Sequence, residues 1–285
     1  MPDPHRSDSH STDDLRYRVA DGVATLTLNR PEALNAMTNG LMRGIQAAMN
    51  AVRADTSVRV VVLTGAGRAF CAGADLAQAA GPADPPAAAE AAPPEPPGER
   101  SNPMRDIFNP ALSALYHCPV PTIARINGAA AGGGFGLALT CDITIAADSA
   151  FFVATFGPML GIVPDMAATW TLPLSAGRAR ALGIALLGER LSAAQAADWG
   201  LIWQCVPDAD LDAAVSRATA TLKRSSPSTT QRIRSSIDSA CRNTLDEQIA
   251  LELSHQDVLI PRHLRESAKA FMEKREPVFD GTREP

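Results

Sequence analysis

The chain has 285 residues, 46% of them hydrophobic and 20% charged, with a formal net charge of −5. That length makes one large domain or two modest ones around a sizeable core, and with aromatics at 5% the core has to come mainly from Ala, Leu, Val and Ile. A mildly acidic chain whose only lysines are Lys223, Lys269 and Lys274 has no basic stripe for nucleic-acid phosphates. Nor does it have an apolar run near the roughly 18 residues of a membrane span.

Residues 1–14 are polar, mixing Pro, Asp, His and Ser, and read as a disordered tail rather than a signal peptide. Residues 23–29 (VATLTLN) alternate as a half-buried strand does, and 58–64 (VRVVVLT) is a continuous apolar strand. Between them Leu41, Met42, Ile45, Ala48, Met49 and Val52 recur at helical spacing, predicting a helix over 38–54 with Thr38 as its cap. A Pro/Ala-rich insert follows over 79–103, and eight prolines fall between Gly81 and Pro103. With almost no large apolar residue to bury, it is expected to be a loop, lid-like at its ends and neutral at its tip. Residues 105–117 then read as helix, and 120–126 and 143–147 as strands.

From Met166 onward the pattern is helical, over 166–174, 178–187, 192–198, 208–224, 228–242, 245–259 and 262–275. Ser192 with Gln195 matches a capping box, and Gly188 and Gly200 stand where helices end. The strand–helix–strand order implies an α/β core over 15–206, followed by a helical region over 207–285. No linker separates the two, so they form one structural unit.

The cysteines at 71, 118, 141, 205 and 241 form no CxxC pair and leave an odd one over. Neither a disulfide framework nor a metal site is expected, and a reducing cytoplasm fits this usage. Gly65-Ala66-Gly67 follows a strand, but the third glycine of a dinucleotide fingerprint would fall on Phe70. P-loop, GxSxG and HExxH patterns are all missing from the sequence.

Two segments stand out instead: 68–76 (RAFCAGADL) and 127–136 (NGAAAGGGFG). Each is a strand end running into small residues and then a helix-like stretch. Small residues let another molecule approach the backbone, and N–H groups at a helix start point outward as donors. Facing one another, two such turns would make an oxyanion hole; each alone also reads as tight helix–strand packing.

These segments, with NRPEALNAM (29–37), INGAAAGGGFGLALTCDITIAADSAFF (126–152) and LGERLSAAQAADWGLI (187–202), resemble the enoyl-CoA hydratase/isomerase, or crotonase, superfamily. The resemblance implies a crotonase-like spiral of ββα units with a C-terminal helical trimerisation region, assembled as a homotrimer or dimer of trimers. It also implies an acyl-CoA thioester as substrate, with coenzyme A part of that substrate and no permanently bound cofactor. The two backbone amides that hold the thioester carbonyl map to Ala74 and Gly133. Ala36, Ala72, Asp75, Leu76 and Gly132 map to the CoA ester's surroundings. Phe271 and Lys274 match tail residues that touch the adenine and phosphates of CoA bound to a neighbouring subunit.

Hydratases of the family use two glutamates, at positions that fall here on Gly136 and near Gly157, and no acid occurs from Phe151 to Pro164. Asp165 lies where some isomerases and a dehalogenase of the superfamily place a catalytic aspartate. It also suits a helix N-cap. The stretch 172–206, with IVPDMAATW before it and FNP at 108–110, is most similar to 1,2-epoxyphenylacetyl-CoA isomerases, which usually have Gly-Gly where this chain has Ala167-Ala168. A single carboxylate suffices for an allylic isomerisation if apolar neighbours raise its pKa; Phe152, Phe156, Met159, Leu160, Met166 and Trp170 are the candidates. Asp142 reads as structural, His117 as a solvent-side residue and Cys118 as a buried one. The expected activity is acyl-CoA isomerisation, with a hydratase, a thioester hydrolase and a degenerate CoA-ester binder as alternatives.

Overall fold

The structure, a computed structural model, describes residues 10–76 and 102–283. The first nine residues of the expected tail and 79–101 of the insert lie outside the described residues.

The chain opens with an antiparallel hairpin, β1 (Leu15–Ala20) and β2 (Val23–Leu28). Its turn is Asp21-Gly22, both at positive φ (48° and 73°), the twist that suits a two-residue hairpin. β3 (Val60–Gly65), β5 (Thr122–Ile126), β7 (Ile143–Ala147) and β10 (Gln204–Val206) extend this sheet in parallel, in the order β1-β2-β3-β5-β7-β10. A second sheet holds β4 (Ala69–Cys71), β6 (Ala129–Ala131), β8 (Phe151–Val153) and β9 (Leu191–Ser192), with only the last pair antiparallel. Each of the pairs β3/β4, β5/β6 and β7/β8 sends one strand to each sheet before the chain turns into helix. That is the ββα spiral the resemblance implies.

The first helix, α1 (Asn39–Ala54), buries the stripe Leu41, Met42, Ile45, Ala48, Met49 and Val52 and is capped by Thr38, whose hydroxyl accepts from the Leu41 N–H. The strand predicted over 58–64 begins at Val60, because Val58 is still held in a turn by its N–H to Asp55 O. The helix predicted over 105–117 is a π-helical turn (Met104–Phe108) followed by α2 (Asn109–Tyr116), with Pro110 in its first turn where no N–H is needed. Next comes α3 (Gly133–Leu139), then α4 (Ala168–Leu187).

Helix α4 joins the two helices predicted there across a kink at Gly177 (φ 76°), and starts two residues late because Met166 and Ala167 are left-handed. In α5 (Ala193–Asp198) Ser192 accepts from the Gln195 N–H, and both Gly188 and Gly200 are left-handed as helix ends require. The tail has α6 (Leu211–Arg224), α7 (Pro227–Ala240) and α8 (Leu245–Met272). Two helices were expected where α8 runs on through Pro261. One lost backbone bond does not end a helix of 28 residues started by the Thr244–Glu247 capping box.

Between the sheets and helices lies a mostly aliphatic core, in which Phe70, Phe135 and Phe152 are the largest fully buried side chains. Burial pushes the Cys71 thiol up to about 12 and the Cys118 thiol up to about 11, so both are neutral packing groups. Asp142 is structural. It accepts from the Thr122 N–H (2.7 Å) and hydroxyl (2.9 Å) and from Arg234, whose guanidinium also donates to Cys118 O (2.6 Å). This knot ties α7 to the start of β5 and of β7. Asp142→Ala is expected to cost about 1.5–3 kcal/mol in urea unfolding, since it strands a guanidinium and a strand N–H together.

Candidate active site

The first of the two small-residue turns is shaped by a parallel ladder outside the sheets. The Ala72 N–H donates to Leu34 O (3.0 Å), the Met37 N–H to Gly73 O (2.7 Å) and the Asp75 N–H to Met37 O (3.0 Å). Residues on a strand alternate the side to which they present backbone groups. With Gly73 O and Asp75 N–H facing the 34–37 segment, the Ala74 N–H faces away from it. No described residue accepts from that N–H.

The second turn starts α3. Gly132 (φ 50°, ψ −127°) precedes it, and the Gly133 N–H, first in the helix, has no backbone acceptor among the described residues. Glycine brings the turns together. A Cβ on Gly73 (φ 93°) would lie 2.8 Å from Ala131 O and 3.3 Å from the Gly133 nitrogen. The ladder-free donors, Ala74 N–H and Gly133 N–H, thus sit on abutting turns.

Asp165 reaches this same place. A Cβ on Gly133 would lie 3.5 Å from Asp165 Oδ1, 3.1 Å from Met166 Cγ and 2.5 Å from Met37 Cε. Asp165 Oδ1 is buried and accepts no hydrogen bond among the described residues. Burial raises the carboxyl's pKa above its usual range. The helix-cap reading fails: α4 begins at Ala168, its N-cap is Ala167, and no side chain caps it; the Ala168 N–H takes the backbone oxygen of Asp165.

The position where a hydratase carries its first glutamate is filled. A Cβ on Gly136 would fall 2.4 Å from Met166 O and 2.7 Å from Met166 Cβ. Met166 (φ 49°) and Ala167 (φ 58°) hold their backbones in the left-handed region, at a cost of about 1–3 kcal/mol each. Ala167 is the first of the two alanines that stand for Gly-Gly, and it carries a strain that glycine would not. Gly157, near the second glutamate position, lies on the exposed π-helical turn Phe156–Leu160.

The residues expected to surround Asp165 divide by burial. Phe152, Phe156 and Met166 are buried, but Met159, Leu160 and Trp170 are exposed. Met37, which the sequence reading missed, closes over Gly133 instead; its signal was its place just before the Thr38 cap, a position that packs inward. Ala36 O and the Asp75 carboxylate are both engaged by Arg30, at 2.8 and 2.9 Å. Leu76 is exposed beside Ala74. Phe271, 85% exposed, and Lys274 lie at the far end of α8, which packs against α7, and not with the cluster around Gly133. His117 is exposed and Cys118 buried.

A sequence model of the enoyl-CoA hydratase/isomerase family matches residues 18–282, and the chain belongs to that family. It is 39% identical over 268 residues to a probable enoyl-CoA hydratase of Rhodobacter capsulatus, covering 94% of this chain and 98% of that one. It is 41% identical over 264 residues to the 1,2-epoxyphenylacetyl-CoA isomerase of Escherichia coli, covering 92% and 97%. The crystal structure of an enoyl-CoA hydratase from Bacillus anthracis superposes with a TM-score of 0.82 at 29% identity, covering 94% of this chain and all of that one (100%). The fold is the crotonase fold, and the family's acyl-CoA chemistry is the frame for the site.

A carboxyl whose pKa is raised by folding supports stability at acidic pH and withdraws that support as pH rises through its folded-state value. Asp165→Asn is therefore expected to melt above the wild type near neutral pH, with the gap closing below about pH 4, where Asp165 is protonated in both states. A thermal-shift series against pH reads this directly.

Proposed function

We propose that this chain is an acyl-CoA isomerase in which the Ala74 and Gly133 amides receive the thioester carbonyl oxygen and Asp165 moves the proton. The observation that carries the reading is a lone carboxylate oxygen, buried and unpartnered beside Gly133, in a site where Met166 fills the place of a second acid.

Removing a proton near a thioester carbonyl places negative charge on its oxygen. Two preorganised N–H donors stabilise that charge by roughly 3–4 kcal/mol each. Asp165 removes the proton from one carbon, is neutralised, and returns it to another. A carboxyl whose pKa is raised by burial is a stronger base for the first transfer. Water addition asks for two groups to handle a water molecule; the hydratase glutamate positions fall here on Gly136 and near Gly157, and Asp165 is the acid placed against Gly133. The isomerase relative from Escherichia coli points to a ring-epoxide or other unsaturated acyl-CoA as substrate. The hydratase relative from Rhodobacter capsulatus keeps water chemistry as the competing reading.

The family's assembly supplies the rest of the reading, a homotrimer or dimer of trimers acting on soluble CoA esters. Trp170 and Leu174 on α4, Trp203, and Ile233 and Ile237 on α7 are exposed in the single chain and line one side of the body. Such a patch calls for a protein neighbour. No described helix is long and apolar enough to cross a membrane.

Asp165→Asn is expected to lower turnover of an unsaturated acyl-CoA by about 10²–10⁴-fold with the fold intact. In heavy water the wild type should introduce deuterium into the product, and in labelled water it should introduce no solvent oxygen. Solvent oxygen in the product would move the assignment to hydratase or hydrolase, and no exchange with any acyl-CoA would leave a binding protein. Gly136→Glu is expected not to restore hydration but to lose about 1–3 kcal/mol of stability, since its Cβ meets the backbone of Met166.

A further inference from the structure

We propose that Arg30 is a positioning residue that aims the Ala74 N–H by clamping the ladder on which that donor rides; the proposal rests on the oxyanion reading above. Arg30 follows β2 and precedes the turn Pro31–Ala33. A single guanidinium nitrogen, Nη1, donates to Ala36 O (2.8 Å) and to Asp75 Oδ2 (2.9 Å). Those acceptors belong to the residues flanking the bridge between Met37 and Ala74, one on each strand of the ladder. The guanidinium therefore spans the bridge that sets which way the Ala74 N–H faces.

The clamp is itself anchored at both ends. The Arg30 N–H donates to Asn35 Oδ1 (2.9 Å), and the fully buried Asn35 amide donates to Ala66 O and Ala69 O (2.9 Å each), at the mouth of β4. On the other side Arg30 Nε lies 3.6 Å from Asp14 Oδ1, and Asp14 Oδ2 accepts from the Thr38 hydroxyl (2.8 Å), the cap of α1. The side chains of Arg30 and Asp75 are only 19% and 16% exposed, so solvent screens the pair little. Through Oδ2 the Asp75 side chain is turned toward Arg30 and the ladder. A donor must point at the place where charge develops, and an error of about 1 Å there costs up to about 10²-fold in rate.

Three variants test this: Arg30→Gln, Asp75→Ala and Asp75→Asn, the last keeping an acceptor oxygen for Arg30. A dimethylaminocinnamoyl-CoA thioester serves as probe, because polarisation of its carbonyl by an oxyanion hole shifts its absorption to the red. Arg30→Gln and Asp75→Ala should hold the probe yet lose much of the red shift. Their kcat should fall by about 10–100-fold, with KM moving less than about threefold. Asp75→Asn should recover most of both. Amide exchange, which needs no ligand, should rise at Ala72 and Asp75 in the first two variants while β3 and β5 keep their protection. Variants with wild-type red shift, or with exchange that rises everywhere alike, would overturn the clamp. A wild type that binds the probe without shifting it would sink the oxyanion reading, and the clamp's role with it. A wild type that does not bind the probe counts against the acyl-CoA reading, leaving the exchange data to decide the clamp.

Discussion

The site depends on how closely two stretches of backbone approach each other. The turn at 72–75 and the start of α3 meet at a separation that leaves no room for a Cβ on Gly73, and none on Gly133 without moving Met37. Backbone donors are useful here because they are built into the fold: their direction is set by ladder register and helix start rather than by a rotamer. The same rigidity carries a constraint. Register in a ladder is all or nothing, and a slip of one residue would turn Gly73 or Asp75 outward in place of Ala74.

Around that fixed element, a short left-handed segment sets which side chains reach Gly133 and Gly136. Met166 and Ala167 adopt a conformation that glycine tolerates best, and what they gain is geometric. Their turn delays the start of α4 and places Asp165 Oδ1 against Gly133 with no hydrogen-bond partner among the described residues. It also pushes the Met166 carbonyl into the space above Gly136. A buried carboxylate oxygen without a partner and a neighbouring position closed to side chains are two results of one turn. Strain of this kind survives only where surrounding packing over-determines it, and the burial of Met37 and Met166, each 2% exposed, supplies that packing.

Much of this was legible in the sequence, and the physical reason is periodicity. β7 sits over 143–147 as read, and α1 was found within one residue because its buried stripe and its Thr38 cap agree. The two small-residue turns were legible because their residues are chosen for the absence of a side chain. What the sequence hid is whatever depends on a neighbour distant in the chain. Asp165 after a proline carries the local signature of a cap, and only the left-handed turn that follows shows that it caps nothing. Met37's place before the Thr38 cap marks it as inward-facing, but nothing in the sequence says that it lies over Gly133, 96 positions away by number. Pro261 advertises a break that a long, well-capped helix absorbs. The Arg30 clamp was invisible for the same reason, since its partner Asp75 lies 45 residues on.

In the proposed reaction, placing carbonyl binding in backbone and proton handling in one side chain separates two requirements that most sites must meet together. The donors keep the same geometry whatever acid stands nearby, so the reaction can be reset without disturbing the fold. In this chain the difference from the two-glutamate pattern is more than a missing carboxylate. If Gly136 merely lacked a carboxylate, the vacated space would hold water, and hydration would remain open to whatever base was left. Instead the Met166 carbonyl and Cβ occupy it, and the same turn brings the Asp165 carboxylate against Gly133, where burial raises its pKa.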